Sequence, residues 1–144
     1  SCTGGLLGAA FTQEPGSSEF YLGGVVSYSN SLKQGLLGVS EESLAKYGAV
    51  SEEVAKEMAQ GILSKAGSDL AISTTGIAGP DGGSDEKPVG LVYIGLATPE
   101  GVIAEKIQFY GERESVRQLT VQAALNKVRL HMLNSERRRQ RGDG

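Results

Sequence analysis

The sequence has few of the residues from which disulfide frameworks, metal centres and histidine-dependent active sites are built. One cysteine (Cys2), one histidine (His131) and no tryptophan occur among 144 residues. A single cysteine excludes an internal disulfide framework and suits a reducing compartment, so we expect a cytoplasmic protein. A structural zinc site needs about four ligands, and His131 falls late in a predicted helix, where a partly exposed structural histidine is expected. We therefore expect neither a metal nor another cofactor.

Long apolar runs and an overall basic charge are also missing. No stretch approaches the roughly 20 consecutive apolar residues of a membrane-spanning helix, so a membrane partner is not expected. The net charge of −3 and the pI of about 5.2 argue against a general nucleic-acid binder. The basic segment "ERRRQRGDG" (136–144) is interpreted as a solvated helix end within a charged, disordered tail over residues 135–144, with a nucleic-acid-binding arm as the alternative.

Glycine, in contrast, is abundant, with 21 residues. Five glycines lie in "TTGIAGPDGGSDEKPVG" (74–90), between two apolar segments. Glycine permits a long flexible turn, a tight bend between buried strands, or a surface that a ligand approaches closely. The composition of this loop leaves all three interpretations open.

Apolar spacing and turn signals predict alternating helices and strands. Predicted helices cover residues 4–13, 30–37, 41–47, 52–66 and 112–133, with Asn30, Ser40 and Ser51 as N-caps of the second to fourth. Predicted strands cover residues 21–28, 69–76, 89–98 and 102–110, the last two forming a hairpin around "PEG". This order predicts an α/β fold, a three-layer α/β/α single domain over residues 1–134 with a mixed sheet.

The opening residues "SCTGG" are one candidate site. Ser1, Thr3 and Gly4 are small residues at a predicted entry into a helix. Backbone N–H groups at such a turn can hold an anion or an oxyanion.

The segment "YSNSLK" (28–33) offers a base for a serine nucleophile. Tyr28 ends a predicted strand, and Lys33 falls in the first turn of a helix, where the helix dipole should lower the pKa of its amine. A Lys-Tyr pair can activate a serine where no histidine is well placed. The alternative is an exposed lysine near a tyrosine that ends a strand.

Two further groups are candidates for substrate binding. Thr75 and Gly76 end a predicted strand, where α/β proteins often bind ligands. Arg113 or Arg117, at a helix start, can clamp a phosphate with two parallel hydrogen bonds. Strand-end hydroxyls that satisfy a turn, and an exposed helix arginine, are the structural alternatives.

Taken in order, "SCTGG", "GSSEFYLGGVVSYSN", "YGAVSEEVAKEMAQG" and "TGIAGPDGGSDEKPVGLVYIGLA" resemble the CinA C-terminal-domain family, the nicotinamide-mononucleotide deamidases. The resemblance extends from Ser1 to about Leu133. Family members usually carry a strand and a helix before "SCTGG", so we expect such residues to precede Ser1. The resemblance implies hydrolysis of nicotinamide mononucleotide to nicotinate mononucleotide and ammonia without a metal.

The family's catalytic serine, tyrosine and lysine match Ser1, Tyr28 and Lys33, and its Thr-Gly pair matches Thr75 and Gly76. Its arginine matches Arg113 better than Arg117. Lys87 either adds positive charge to the pocket or has a structural role beside Pro88. The expected partners are a pyridine nucleotide and further copies of the chain, and nucleic acid is not expected.

Two other functions remain open from the sequence. One is a catalytically silent module that binds nucleotides or proteins and is linked to competence or DNA damage. The other is a serine amidase acting on a different small amide.

Overall fold

The computed structural model describes residues 1–142, which form five α-helices, one 3-10 helix and three strands. The helices are α1 (Leu6–Phe11), α2 (Asn30–Leu37), α3 (Glu41–Tyr47), α4 (Glu52–Ala66) and α5 (Arg113–Arg141), and the 3-10 helix is Ser17–Glu19. The strands are β1 (Ala71–Gly76), β2 (Leu91–Thr98) and β3 (Gly101–Gln108). No helix among the described residues is both long enough and apolar enough to cross a bilayer.

The sheet has the order β1-β2-β3, and both neighbouring pairs are antiparallel. On one face Val92 and Ile94 of β2 pack with Val116 and Ala124 of α5. On the other face α4 lies so close that a Cβ on Gly95 would be 2.4 Å from the carbonyl oxygen of Ala55. Helices therefore cover both faces, and the expected three-layer α/β single domain is confirmed.

The strand predicted at residues 21–28 is wrong, and with it the mixed character of the sheet. Within residues 1–142 this segment pairs with no strand, and Leu22 and Val26 are 67% and 52% exposed. A groove of about 790 Å³ separates it from residues 70–74 at the outer edge of β1. The apolar pattern made the segment a strand candidate, but an isolated strand has no partner for its backbone groups.

The ends of three helices also differ from the sequence predictions, and α1 (Leu6–Phe11) is two residues shorter at each end than the predicted 4–13. Ser29, not Asn30, is the N-cap of α2, since its hydroxyl accepts a hydrogen bond from the N–H of Leu32. Helix α5 continues through the basic segment to Arg141, eight residues beyond Leu133, so most of the predicted disordered tail is helical. Glu, Gln and Arg favour helices, and basic residues in the last turn complement the helix dipole. The rest of the tail prediction, Asp143 and Gly144, lies outside the described residues.

Candidate functional site

Lys33 is the most unusual side chain of the site, because it is a lysine that is only 2% exposed. Its Nζ donates hydrogen bonds to the main-chain carbonyls of Ser27, at 2.9 Å, and Tyr28, at 3.1 Å. Burial lowers the pKa of the Lys33 amine, and the Cys2 thiol, when ionised, opposes this change. The direction agrees with the sequence prediction, although the main cause is burial rather than the helix dipole.

Ser1 and Cys2 lie against the end of β1. The Ser1 hydroxyl donates to the carbonyl of Thr74 at 3.4 Å. Burial raises the pKa of the Cys2 thiol, and the nearby positive charge of Lys33 opposes this change. The fold thus brings Cys2 and Lys33, 31 positions apart in sequence, into one electrostatic environment.

Tyr28 joins Lys33 to an open pocket that neither Lys33 nor Ser1 lines, since Ser1 lines the groove of about 790 Å³ beside β1. Its carbonyl binds Lys33, and its hydroxyl accepts a hydrogen bond from Nη2 of Arg113 at 3.3 Å. Tyr28 is 61% exposed, and it lines a cavity of about 240 Å³ together with Cys2, Gly76 and Arg113. Nη1 of Arg113 donates to the carbonyl of Gly79 at 2.7 Å, so the arginine also fixes the glycine-rich loop at this pocket.

The structure separates the members of the predicted Thr-Gly pair. Gly76 lines the 240 Å³ pocket with Tyr28 and Arg113, whereas Thr75 does not. The Thr75 side chain is buried, and its hydroxyl donates to the carbonyl of Ala49 at 2.8 Å. Thr75 therefore fixes the end of β1 through the structural contact that the sequence left as an alternative.

The turn after Ser1 has both used and free backbone donors. The N–H of Gly4 donates to the carbonyl of Ser1 at 3.1 Å and closes the turn, with Gly4 at a φ of 63°. Among residues 1–142, no main-chain carbonyl accepts a hydrogen bond from the N–H groups of Cys2, Thr3 and Gly5. Thr3 is buried, and its carbonyl accepts from Nη2 of Arg117 at 3.3 Å.

Arg117 and Lys87, the other two positively charged side chains considered for the site, make structural contacts. Arg117 holds the turn through Thr3 and pairs with Glu114 at 3.0 Å, and it does not line the 240 Å³ pocket. Lys87 donates from Nζ to the carbonyl of Tyr47 and ties the glycine-rich loop to the end of α3. This geometry favours Arg113 over Arg117 for substrate contact and the structural interpretation of Lys87. His131 is half-buried on α5, as expected.

The structure also shows site residues that sequence reasoning missed. Ser27 supplies the shorter of the two carbonyl contacts to Lys33, and its own hydroxyl is buried without a partner among the described residues. Asp81 lines the pocket of Tyr28 and Arg113. A main-chain acceptor leaves no signal in residue type, whereas Asp81 was visible as the first acidic residue after "GIAGP". Within residues 1–142 no cluster of three or more metal-ligand side chains occurs.

Comparisons with known proteins show which family the chain is similar to. The family model for the CinA C-terminal domain matches residues 1–132. A CinA-like protein from Desulfotalea psychrophila is 53% identical over 133 residues, which cover 92% of this chain and 32% of that protein. A CinA-like protein from Syntrophomonas wolfei is 54% identical over 134 residues, covering 93% and 32%. The chain therefore spans about a third of the length of these curated relatives.

Solved structures agree with the sequence relatives. The crystal structure of a competence/damage-inducible protein from Agrobacterium tumefaciens superposes with a TM-score of 0.86 at 44% identity, over 89% of this chain and 79% of that one. A CinA-superfamily protein from Escherichia coli gives 0.85 at 38% identity, over 89% and 74%. The chain belongs to the CinA C-terminal domain family.

Proposed function

We propose that this domain is a serine-dependent amidohydrolase that converts nicotinamide mononucleotide and water to nicotinate mononucleotide and ammonia. The observation that carries the proposal is the buried Lys33, whose pKa is lowered and whose Nζ is bonded to the carbonyl of Tyr28. A lysine acts as a general base only in its neutral form, which burial favours. Family membership makes the pyridine nucleotide the first substrate to test.

In the proposed first step, neutral Lys33 accepts the hydroxyl proton of Ser1 while the Ser1 oxygen attacks the carboxamide carbon. The negative charge that develops on the carboxamide oxygen needs hydrogen-bond donors, and the candidates in the turn are the N–H groups of Cys2, Thr3 and Gly5, which donate to no main-chain carbonyl. One such donor typically contributes about 3–4 kcal/mol to the stabilisation of the transition state.

In the second step, the carbon–nitrogen bond breaks and the leaving nitrogen takes up the proton, so that ammonia departs. We propose that Tyr28, which lines the pocket, delivers this proton and recovers it from Lys33. Water then adds to the carbonyl carbon of the acyl-serine ester and gives a proton to Lys33. The ester C–O bond breaks, Lys33 returns this proton to the Ser1 oxygen, and the product leaves as the carboxylate. Gly76 and Arg113 line the pocket and are proposed to bind the nucleotide.

Ammonia release from nicotinamide mononucleotide by the purified chain tests the proposal, with Lys33→Ala as the inactive control. Turnover in the wild type and its loss in the variant support hydrolysis. Saturable binding of the nucleotide without ammonia release would instead favour a silent nucleotide-binding module. Ammonia release from other small amides, but not from this nucleotide, would retain the chemistry and change the substrate.

Cytoplasmic location and self-association are part of the same proposal, because a pyridine nucleotide substrate is an intracellular metabolite and the family resemblance implies an oligomer. Sedimentation of the purified chain tests the oligomeric state directly.

A further inference from the structure

The pocket of Tyr28 and Arg113 contains an acidic side chain, that of Asp81, and this side chain has no role in the proposed reaction. Asp81 lines this cavity of about 240 Å³, is exposed, and makes no ion pair within the described residues. It lies two residues after Gly79, whose carbonyl is held by Arg113 at 2.7 Å. The loop that carries Asp81 is thus fixed at the pocket.

The other charged side chain of residues 1–142 that lines this pocket is positive: it is Arg113. A ligand with a fixed positive charge meets this guanidinium here and needs a nearby anion. Among the lining residues within the described chain, Asp81 is the one with a carboxylate.

We propose that Asp81 is a specificity-determining residue that selects carboxamides whose ring carries a fixed positive charge, that is, N-substituted pyridinium carboxamides. The proposal rests on the proposed amide hydrolysis and extends it. Asp81 and Arg113 give the pocket one negative and one positive side chain, which match a cationic ring joined to an anionic phosphate. A neutral aromatic amide of the same shape gains nothing from the carboxylate.

The test compares Asp81→Asn with Asp85→Asn. Both variants remove one negative charge from the same exposed loop, but Asp85 does not line the pocket. Each variant and the wild type are assayed for ammonia release from nicotinamide mononucleotide and from its uncharged benzamide C-nucleotide, in which a carbon atom replaces the ring nitrogen. Dissociation constants are measured by calorimetry for the two carboxylate products, which are not consumed.

We expect Asp81→Asn to lower kcat/KM for the cationic nucleotide by about two- to fivefold, and to weaken the binding of its carboxylate product by the same factor, which is the upper part of the range for an exposed ion pair. The uncharged compounds should be unaffected, and Asp85→Asn should behave as the wild type with both. An equal loss for charged and uncharged compounds would show that Asp81 only shapes the loop, and no loss would show that the ring lies elsewhere. Either result overturns the proposal.

The design separates this inference from the hydrolytic function. If the wild type released no ammonia from either compound, amide hydrolysis would be refuted. The product-binding arm would still decide whether Asp81 recognises a cationic ring, because it needs no turnover.

Discussion

Lys33 Nζ donates a hydrogen bond of 3.1 Å to the main-chain carbonyl of Tyr28, so the side chain of one proposed catalytic residue is held by the backbone of another. The same Nζ donates a second hydrogen bond, of 2.9 Å, to the main-chain carbonyl of Ser27, so two carbonyls hold the amine. Main-chain acceptors place the lysine without a carboxylate that would favour its protonated form. A base on this scaffold can therefore be fixed in position and still lose its proton.

Lys33→Arg tests whether the residue works as a base. Arginine keeps the positive charge but does not deprotonate at accessible pH. We expect its activity to fall by about 100-fold or more, to the level of Lys33→Ala, since positioned proton transfer typically contributes about 100- to 10,000-fold. The measurement is kcat for ammonia release. Activity of Lys33→Arg close to the wild type would show that the residue acts only as a cation.

The same burial predicts that Lys33 lowers the stability of the fold. Because the folded-state pKa lies below the ordinary value of 10.5, the folded protein pays for a buried ammonium when Lys33 is protonated. Wild-type stability should rise with pH between the lowered pKa and 10.5. We expect Lys33→Met to have a free energy of unfolding about 1 kcal/mol higher than that of the wild type at pH 6, measured by denaturant titration. This difference in stability should shrink toward pH 10. An advantage that stays constant with pH would contradict this account.

The nucleophile is predicted to be Ser1 rather than Cys2. The pKa of the Cys2 thiol is raised by burial, which disfavours the reactive thiolate, although Cys2 lines the pocket of Tyr28. Ser1→Ala should abolish ammonia release, whereas Cys2→Ala should keep most of it. The two variants are assayed side by side at the same pH. Loss confined to Cys2→Ala would reverse the assignment.

Most of the fold follows from local patterns, and its one large error has a physical reason. Helix α4 was predicted from its apolar spacing and Ser51 cap, and the β2–β3 hairpin from alternation around a turn. Residues 21–28 are apolar, as a strand would be, but they have no partner strand within residues 1–142. Strand formation depends on a neighbouring strand, which the local sequence does not specify. Main-chain contacts such as those that hold Lys33 are equally invisible, because every residue carries the same carbonyl.

Residues 21–28 lie across the groove from β1 and pair with no strand within residues 1–142, which has a measurable consequence. Within residues 1–142 the backbone N–H groups of residues 22–26 have no acceptor. Their amide hydrogens should exchange at nearly the unprotected rate, while those of the central strand β2 exchange slowly. Amide exchange read by mass spectrometry or NMR checks this. Slow exchange at residues 22–26 would mean that the segment is paired in solution.

The last prediction concerns the phosphate of the proposed substrate. An acidic protein that selects a phosphorylated ligand needs a localised cation, and Arg113 is placed for this role in the pocket of Tyr28. Two of its five N–H donors are engaged, by Gly79 and Tyr28, which leaves three for a ligand. A charge-assisted contact contributes about 1.5–3 kcal/mol, or roughly ten- to a hundredfold in affinity.

Arg113→Ala should therefore raise KM for nicotinamide mononucleotide about ten- to a hundredfold. It should also reduce the preference for the mononucleotide over nicotinamide riboside, which lacks the phosphate. Arg117→Ala is the matched control on the same helix face, because Arg117 contacts Thr3 and Glu114 instead of the pocket. Steady-state kinetics with both compounds decide the matter. If Arg113→Ala raises KM for the riboside as much as for the mononucleotide, Arg113 positions Tyr28 and the loop and does not bind the phosphate. If Arg117→Ala alone loses the preference, the phosphate lies beside the turn that follows Ser1.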